Sequence, residues 1–367
     1  KDMHITSDTK KLKNILESVS KISTKHATLP VLQCVLLEVQ NKTLTIKATN
    51  LEIGIEGSVS VEVEEEGVIA VPAHILLQTV NLVTQPTITL STEGDVLHVE
   101  SKSSKTDIKS IPASDFPNIP KVSNKNTFTF NTPNLIKGLK SVMYSASVST
   151  IRPTLASVLV LSEDDNVVFV ATDSFRLAEK RIGVKKHKEF NQILIPVKNI
   201  SEIIRVLDDN KDDVEVYLDD NQIAFLYNDI YITSRVIDGT FPDYKQIIPK
   251  EVKTEVVLLK QDLVSSLKIS NIFADKFSQV VFNINSKNKV FKISTKNMDI
   301  GENISILEAV VKGDDINISF NYKYIIDCFQ SIDSDSISLT FSDVNKPMVV
   351  RGGTDKSFLY LVMPMNK

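Results

Sequence analysis

Apolar residues recur along the chain at two alternating periods, and those periods predict its elements. Between residues 10 and 23, Leu12, Ile15, Leu16, Val19 and Ile22 fall at helical spacing, so a helix with one covered face is predicted there. Comparable patterns predict helices over 73–83, 135–142, 200–207, 263–272 and 322–330. Short runs rich in Val, Ile, Thr and Phe lie between them, bounded by polar turn residues, and read as strands. The first group falls at 31–39, 43–49, 53–63, 87–90, 96–101 and 106–111. A second falls at 155–161, 167–172, 214–218, 222–227 and 230–237. A third falls at 280–285, 290–295, 304–311, 316–321, 337–341, 347–351 and 358–363. Glu62, Glu64, Glu65, Glu66 and Gly67 are expected to close a strand as a solvated acidic turn.

The order of elements repeats. Thr49, Thr172 and Thr295 each end an apolar strand just before a polar turn, and they stand 123 residues apart twice over. Independent markers keep the same period. Pro30 and Pro153 precede strands 123 residues apart; Pro72 and Pro196 precede helices 124 apart, with Asn321 a further 125 along. Pro117 and Pro242 close the first two units 125 apart, and Pro364 closes the third 122 later. Several markers in one order at one period define tandem copies of one fold. A chain of 367 residues accommodates three such domains. We place them at 1–123, 124–249 and 250–367. The expected class is α+β, each unit having about eight strands and two helices.

Composition narrows the chemistry. Hydrophobic content of 42 % suffices for ordinary cores, and no apolar run reaches the length of a membrane span. The first residues lack the apolar centre of a secretion signal. Cys34 and Cys328 stand in strand and helix patterns that suit buried free thiols in a reducing compartment. There is no glycine-rich phosphate loop. His4, His26, His74, His98 and His187 are scattered without metal-ligand spacing. The run from Asp208 to Asp213 lacks the glycine and glutamate of a calcium loop and is expected to be an acidic hairpin. Asp173 follows Thr172, but the copies carry Asn50 and Lys296 there and no base accompanies it, so a strand-end turn is expected. Neither a catalytic residue, a metal nor a cofactor is expected.

A net charge of −4 argues against bulk attraction to nucleic acid. Yet basic residues recur at corresponding helices. Lys10, Lys11, Lys13, Lys21 and Lys25 mark the first helix, Lys137 and Lys140 its second copy, and Lys268 its third. Lys198, Arg205 and Lys323 mark the other helix of the later units. Such a local stripe suits phosphates, without reading sequence.

Three stretches now carry a resemblance over essentially the whole chain: residues 171–178 (Ala-Thr-Asp-Ser-Phe-Arg-Leu-Ala), 236–244 (Val-Ile-Asp-Gly-Thr-Phe-Pro-Asp-Tyr) and 360–365 (Tyr-Leu-Val-Met-Pro-Met). The chain resembles the bacterial DNA polymerase III β subunits, the sliding clamps. The resemblance implies a head-to-tail homodimer closing into a six-domain ring, with helices lining the hole. It implies a non-catalytic processivity factor, encircling double-stranded DNA and tethering the polymerase III core, the clamp loader and other proteins with clamp-binding motifs. The basic helix residues would then face DNA. A pocket for partner peptides would be built by Leu155, Thr172, Ser174, Phe175, Arg176 and Leu177, by Pro242, Gln246 and Ile247, and by Leu361, Met363 and Met365. Val344, Asn345 and Pro347 would border it. Relatives commonly carry Gly and His at 174 and 175 and Arg at 246, so Ser, Phe and Gln are departures. The dimer contact would use Ile272 and Phe273 against His74 and the strand holding Ile108. The cytoplasm is the implied compartment. Two competing readings are a metal-dependent nuclease or hydrolase using Asp173, and a β-rich adhesion or coat repeat.

Overall fold

The β-branched runs become strands because their side chains pack on a pleated, half-covered surface, and the amphipathic segments become the helices that cover it. The computed structural model describes residues 2–23, 29–122, 126–184 and 189–365. Among these are 26 strands and six α-helices. The helices are α1 (Thr9–Ser20), α2 (Ala73–Leu82), α3 (Thr132–Val142), α4 (Val197–Leu207), α5 (Lys260–Ile272) and α6 (Tyr322–Asp327). They come in pairs at the repeat spacing, as the pattern predicts. Cys34 and Cys328 are buried free thiols.

The chain forms two compact units, and these do not follow the repeat. Unit one holds residues 1–136 and 198–238; unit two holds 137–197 and 239–367. The reason lies in the sheets. Unit one has an eight-stranded sheet in which Ile53–Ser60, from the first repeat, pairs antiparallel with Ile230–Arg235, the last strand of the second. Unit two has a nine-stranded sheet in which Arg176–Gly183 pairs antiparallel with Phe358–Val362, the last strand of the third. Each seam therefore joins one repeat to the next by backbone hydrogen bonds. Unit one also has a five-stranded sheet ending in Lys105–Lys109, and unit two a four-stranded sheet ending in Gly301–Leu307.

Helices sit close to the seam sheets, and glycine makes the approach possible in opposite ways. In the first repeat a Cβ on Gly57 would fall 2.5 Å from Ile15 Cγ2 of α1. In the second repeat the helix position corresponding to Ile15 is Gly138, where a Cβ would fall 2.4 Å from the ring of Phe169. A large side chain needs a bare backbone opposite it; the two copies have exchanged which element supplies each.

Several expected boundaries change. Residues 30–33 form a short 3-10 turn opened by Pro30, so the strand expected from 31 starts at Cys34. The strand expected over 53–63 ends at Ser60, and Glu62–Glu65, expected as an acidic turn, is an edge strand paired with His4–Asp8. The run 304–311 divides between Gly301–Leu307 and Val310–Gly313, which serve different sheets. The acidic run 208–213 connects α4 to the strand Asp213–Leu218 and is not a hairpin; Asn210 holds it by donating from Nδ2 to Thr132 Oγ1 at 2.8 Å. Helix α6 stops at Asp327 and continues as a 3-10 turn through Ser331.

The strand Arg176–Gly183 is not among the expected ones, and it carries four charged residues: Arg176, Glu179, Lys180 and Arg181. The structure buries two of them and compensates each charge, as burial demands. Lys180, 2 % exposed, donates to Ser357 Oγ at 2.6 Å and pairs with Asp355 at 3.2 Å. Glu179 accepts from Arg181 Nε at 2.7 Å and from the Tyr244 hydroxyl at 2.5 Å.

Candidate peptide pocket and basic helices

The turn after Thr172 is built from its own side chains. Thr172 Oγ1 donates to the Arg176 carbonyl at 2.6 Å and accepts from Ser174 N at 3.2 Å. Asp173 Oδ1 accepts from the backbone N–H of Phe175 (2.9 Å) and of Arg176 (3.0 Å). Ser174 takes a φ of 78°, the left-handed region that the tight turn requires. The first repeat reproduces this turn. Thr49 Oγ1 donates to the Ile53 carbonyl at 2.8 Å, Asn50 Oδ1 accepts from Glu52 and Ile53, and Leu51 has φ 75°. Asp173 is thus a turn-former, and either Asp or Asn serves. The third copy departs: its hairpin is longer, with Thr295 opposite Asn303, and the buried Thr295 hydroxyl has no hydrogen-bond partner among the described residues.

The seam strands bring distant segments to this turn. Arg176 lies opposite Val362, and Val362 opposite Met348, so the turn, residues 363–365 and the loop 342–347 all leave the same end of three neighbouring strands. Met363 N donates to the Phe175 carbonyl at 2.8 Å, and Met365 N to the Ser319 carbonyl at 2.8 Å. Leu177 and Leu361 are both 2 % exposed and Pro347 is buried, so they form floor rather than rim. Leu155 is also buried, in the turn two residues before the strand Ser157–Glu163. Phe175 is 59 % exposed and Val344 48 %. Covering a side chain such as Phe175 fully contributes about 1.5–3 kcal/mol, enough for each anchor contact to matter to a ligand.

Pro242, Gln246 and Ile247 belong to a segment laid on the same sheet. It begins beside Thr154, whose methyl lies 2.8 Å from where a Gly239 Cβ would be. It is fixed by the Tyr244–Glu179 bond and by Lys245 to Glu163, whose carboxyl Lys245 holds below its usual range. Gln246 Nε2 donates to Asp243 at 2.7 Å, and Ile247 is exposed. Asn345 N caps on Asp343 Oδ1 at 3.1 Å.

Arg176 is the most connected side chain here. Its Nε donates to Asp173 at 3.1 Å, its Nη1 to Asp327 and its Nη2 to the Tyr144 carbonyl at 2.6 Å. Its guanidinium lies 4.8 Å from the Tyr324 ring centroid, and Tyr324 also stacks with Phe175 at 6.3 Å. Tyr324, Tyr144 and Asp327 were missed from the sequence. Tyr324 and Asp327 reach the site through the seam, which no local pattern specifies, whereas Tyr144 comes from the same repeat as Arg176. Burial pushes the hydroxyls of Tyr144 and Tyr360 well above the usual phenol range, so both stay neutral; Tyr360 donates to the Tyr324 carbonyl at 2.7 Å and Tyr144 accepts from Ser331 Oγ at 3.1 Å.

In unit one, α1 buries Leu12, Leu16 and Val19 and exposes Lys10 and Lys11, with Lys13 half-buried. Asp8 caps it by accepting from Lys11 N at 2.9 Å. Lys21 is already engaged: it donates to Asp209 at 2.9 Å and to the Arg205 carbonyl at 3.0 Å. Arg205 in turn donates to the Lys21 carbonyl and to Glu202. Lys198 lies 3.9 Å from Glu52. In unit two, Lys137 pairs with Asp333, and Lys140, Lys268 and Lys323 are exposed. Lys25 lies outside the described residues. Lys10, Lys11, Lys13, Lys268 and Lys323 have no ion-pair partner among the described residues.

At the outer edges, Ile272 is 64 % exposed, and Phe273 packs 3.7 Å from where a Gly301 Cβ would be. The edge strand they adjoin shows Ile304 (55 % exposed) and Ile306 (73 %). His74 is half-buried on α2. Ile108 corrects an expectation: at 3 % exposure its side chain belongs to its own unit's core, while the edge strand Lys105–Lys109 that carries it keeps one side of its backbone open and exposes Lys105, Asp107 and Lys109.

Tandem repeats joined by shared sheets, a candidate apolar pocket beside an anchored arginine, and basic helix faces fit a protein-binding scaffold of the DNA-associated kind. The descriptions that match it are those of the DNA polymerase III beta subunit: its N-terminal domain over residues 3–120, its central domain over 129–243 and its C-terminal domain over 245–366. The chain belongs to this family, the sliding clamps, whose role is that of a non-catalytic processivity factor. It is 28 % identical over 369 residues to the beta sliding clamp of Escherichia coli K12, covering 99 % of this chain and 100 % of that one. The β subunit structure from Thermotoga maritima is 30 % identical, covers 100 % of both chains and superposes with a TM-score of 0.90. A sliding clamp from Pseudomonas aeruginosa bound to griselimycin is 26 % identical, again over 100 % of both chains, with a TM-score of 0.90.

Proposed function

We propose that this chain forms a head-to-tail homodimeric ring around duplex DNA and recruits the polymerase III core, the clamp loader and other replication proteins through the Arg176 pocket. The repeat borders lie near 123/124 and 249/250, and the compartment is the cytoplasm. What supports the pocket most directly is the hydrogen bond from Met363 N to the Phe175 carbonyl, which fixes the apolar end of the chain against the Thr172 turn. Leu and Phe anchors of a partner peptide would cover Phe175 and Val344 above the Leu177 and Leu361 floor, while Arg176, locked by its partners, forms one wall. Free lysines on the helices give weak, screened phosphate contacts, which permit sliding while topology supplies retention. The exposed Ile272, Ile304 and Ile306 would close the ring against the open edge strand Lys105–Lys109 of a second copy.

The test loads the protein onto closed-circular DNA with a compatible clamp loader and ATP, then linearises half the sample and passes both over a sizing column. Retention on circles with loss from linear DNA is expected. Equal retention on both, falling steeply with salt, would replace the ring by ordinary electrostatic binding.

A further inference from the structure

Unit one contains a cavity of about 260 Å³ whose lining is the first-seam counterpart of the peptide pocket. It is bounded by the Thr49 turn, including Leu51, Glu52 and Ile53, whose hydrogen bonds match those of the Thr172 turn one repeat later. The backbone continues the match. Arg235 N donates to the Glu52 carbonyl at 3.1 Å, as Met363 N does to the Phe175 carbonyl. By strand register, Thr233 lies opposite Gly54 as Leu361 lies opposite Leu177, so Thr233 stands where Leu361 does and Arg235 where Met363 does. Gln222, opposite Arg235, stands where Pro347 does. Pro117 corresponds to Pro242 and also lines the cavity.

The framework is kept while its chemistry is changed. Four positions that are apolar at the second seam (Pro347, Leu361, Met363 and Phe175) are Gln222, Thr233, Arg235 and Glu52 at the first. The Arg235 guanidinium is exposed and has no partner among the described residues. Thr233 Oγ1 donates to Gln222 Oε1 at 2.6 Å, which leaves the Gln222 amide N–H groups as donors beside Arg235. The one carboxylate in the lining, Glu52, has Lys198 at 3.9 Å. Unfilled donors next to Leu51, Ile53, Pro117 and Pro120 match a carboxylate flanked by an apolar side chain.

We propose that this cavity is a second peptide site, selective for an extended segment with an acidic residue beside a leucine. Arg235 and Gln222 take the carboxylate, and Leu51 with the two prolines takes the leucine. The site stands apart from the Arg176 pocket, lies wholly in unit one, and does not need that pocket's assignment to be right.

The test follows Leu, Ile and Met methyl resonances of the full-length protein during titration with three blocked peptides: Gly-Asp-Leu-Asp-Leu-Gly, the same with Lys for Asp, and Gly-Leu-Gly-Leu-Phe. The acidic peptide is expected to shift Leu51 and Ile53 methyls saturably, and the lysine peptide to leave them in place. Arg235→Ala should weaken the acidic peptide at least tenfold, and Arg235→Lys, which keeps charge but not the planar fork, by less. Arg235 is exposed, so an unchanged methyl spectrum checks that both variants fold. Equal response to acidic and lysine peptides, or acidic-peptide shifts confined to Leu361 and Met363, overturns the proposal. Failure of the Leu-Phe peptide to move Leu361 and Met363 bears on the Arg176 pocket alone.

Discussion

Asp173 shows how much one side chain carries. It holds two backbone N–H groups and the Arg176 guanidinium at once. Even a neutral hydrogen bond contributes about 1 kcal/mol and one to a carboxylate more, so losing both backbone bonds should open the turn by at least about 2 kcal/mol. Asp173→Ala is therefore expected to raise hydrogen exchange at the Phe175 and Arg176 amides roughly thirtyfold. Asp173→Asn should raise it far less, since Asn50 already does the same work in the first repeat. Equal exchange in the two variants would sink this account. The residue types of the turn were legible because the repeat displayed them twice. The stacking of Tyr324 on Phe175 and the Asp327 contact were not, since Arg176 and Asp327 stand 151 positions apart and strand pairing brings them together.

Legibility depended on what is buried rather than on how many faces are: Asn166–Thr172 and Phe358–Val362 are covered on both faces with apolar residues and read as strands. Helix α1 reads cleanly from its apolar stripe. Arg176–Gly183 does not, because its buried charges imitate a solvated turn. The basic helices separate into engaged and free lysines, and the difference is measurable. Lys10→Ala and Lys11→Ala should each lower the salt dependence of binding to a short duplex by close to one counterion, about 0.9 in the log–log slope by anisotropy. Lys21→Ala should lower it less, because Lys21 already neutralises Asp209 and holds that carboxyl below its usual range. A Lys21 slope change as large as that of Lys10 would refute the distinction. At the outer edge, Ile306→Lys places a charge on the strand Gly301–Leu307 with nothing of its own unit to disturb, since Ile306 is 73 % exposed. Light scattering should then report monomer where the unsubstituted chain gives dimer. A persistent dimer would move the interface elsewhere.

For the whole molecule, the repeat was legible and the compact units were not. The period counts copies along the sequence, whereas the seams are set by which strands share hydrogen bonds. A fragment of residues 1–123 keeps every strand of its repeat but leaves Ile53–Ser60 without Ile230–Arg235, baring a long edge in the middle of a sheet. It should aggregate or unfold without a cooperative transition in circular dichroism, and a sharp, monomeric transition would contradict the seam argument.

The half-repeat offset between seams and copies also constrains how such a chain came to exist. Duplication multiplies a whole repeat, yet a lone repeat carries seam strands with no neighbour of their own: the middle repeat gives Ile230–Arg235 to one seam and Arg176–Gly183 to the other. A lone repeat would need another copy of itself to cover those edges, and tandem fusion supplies that copy covalently.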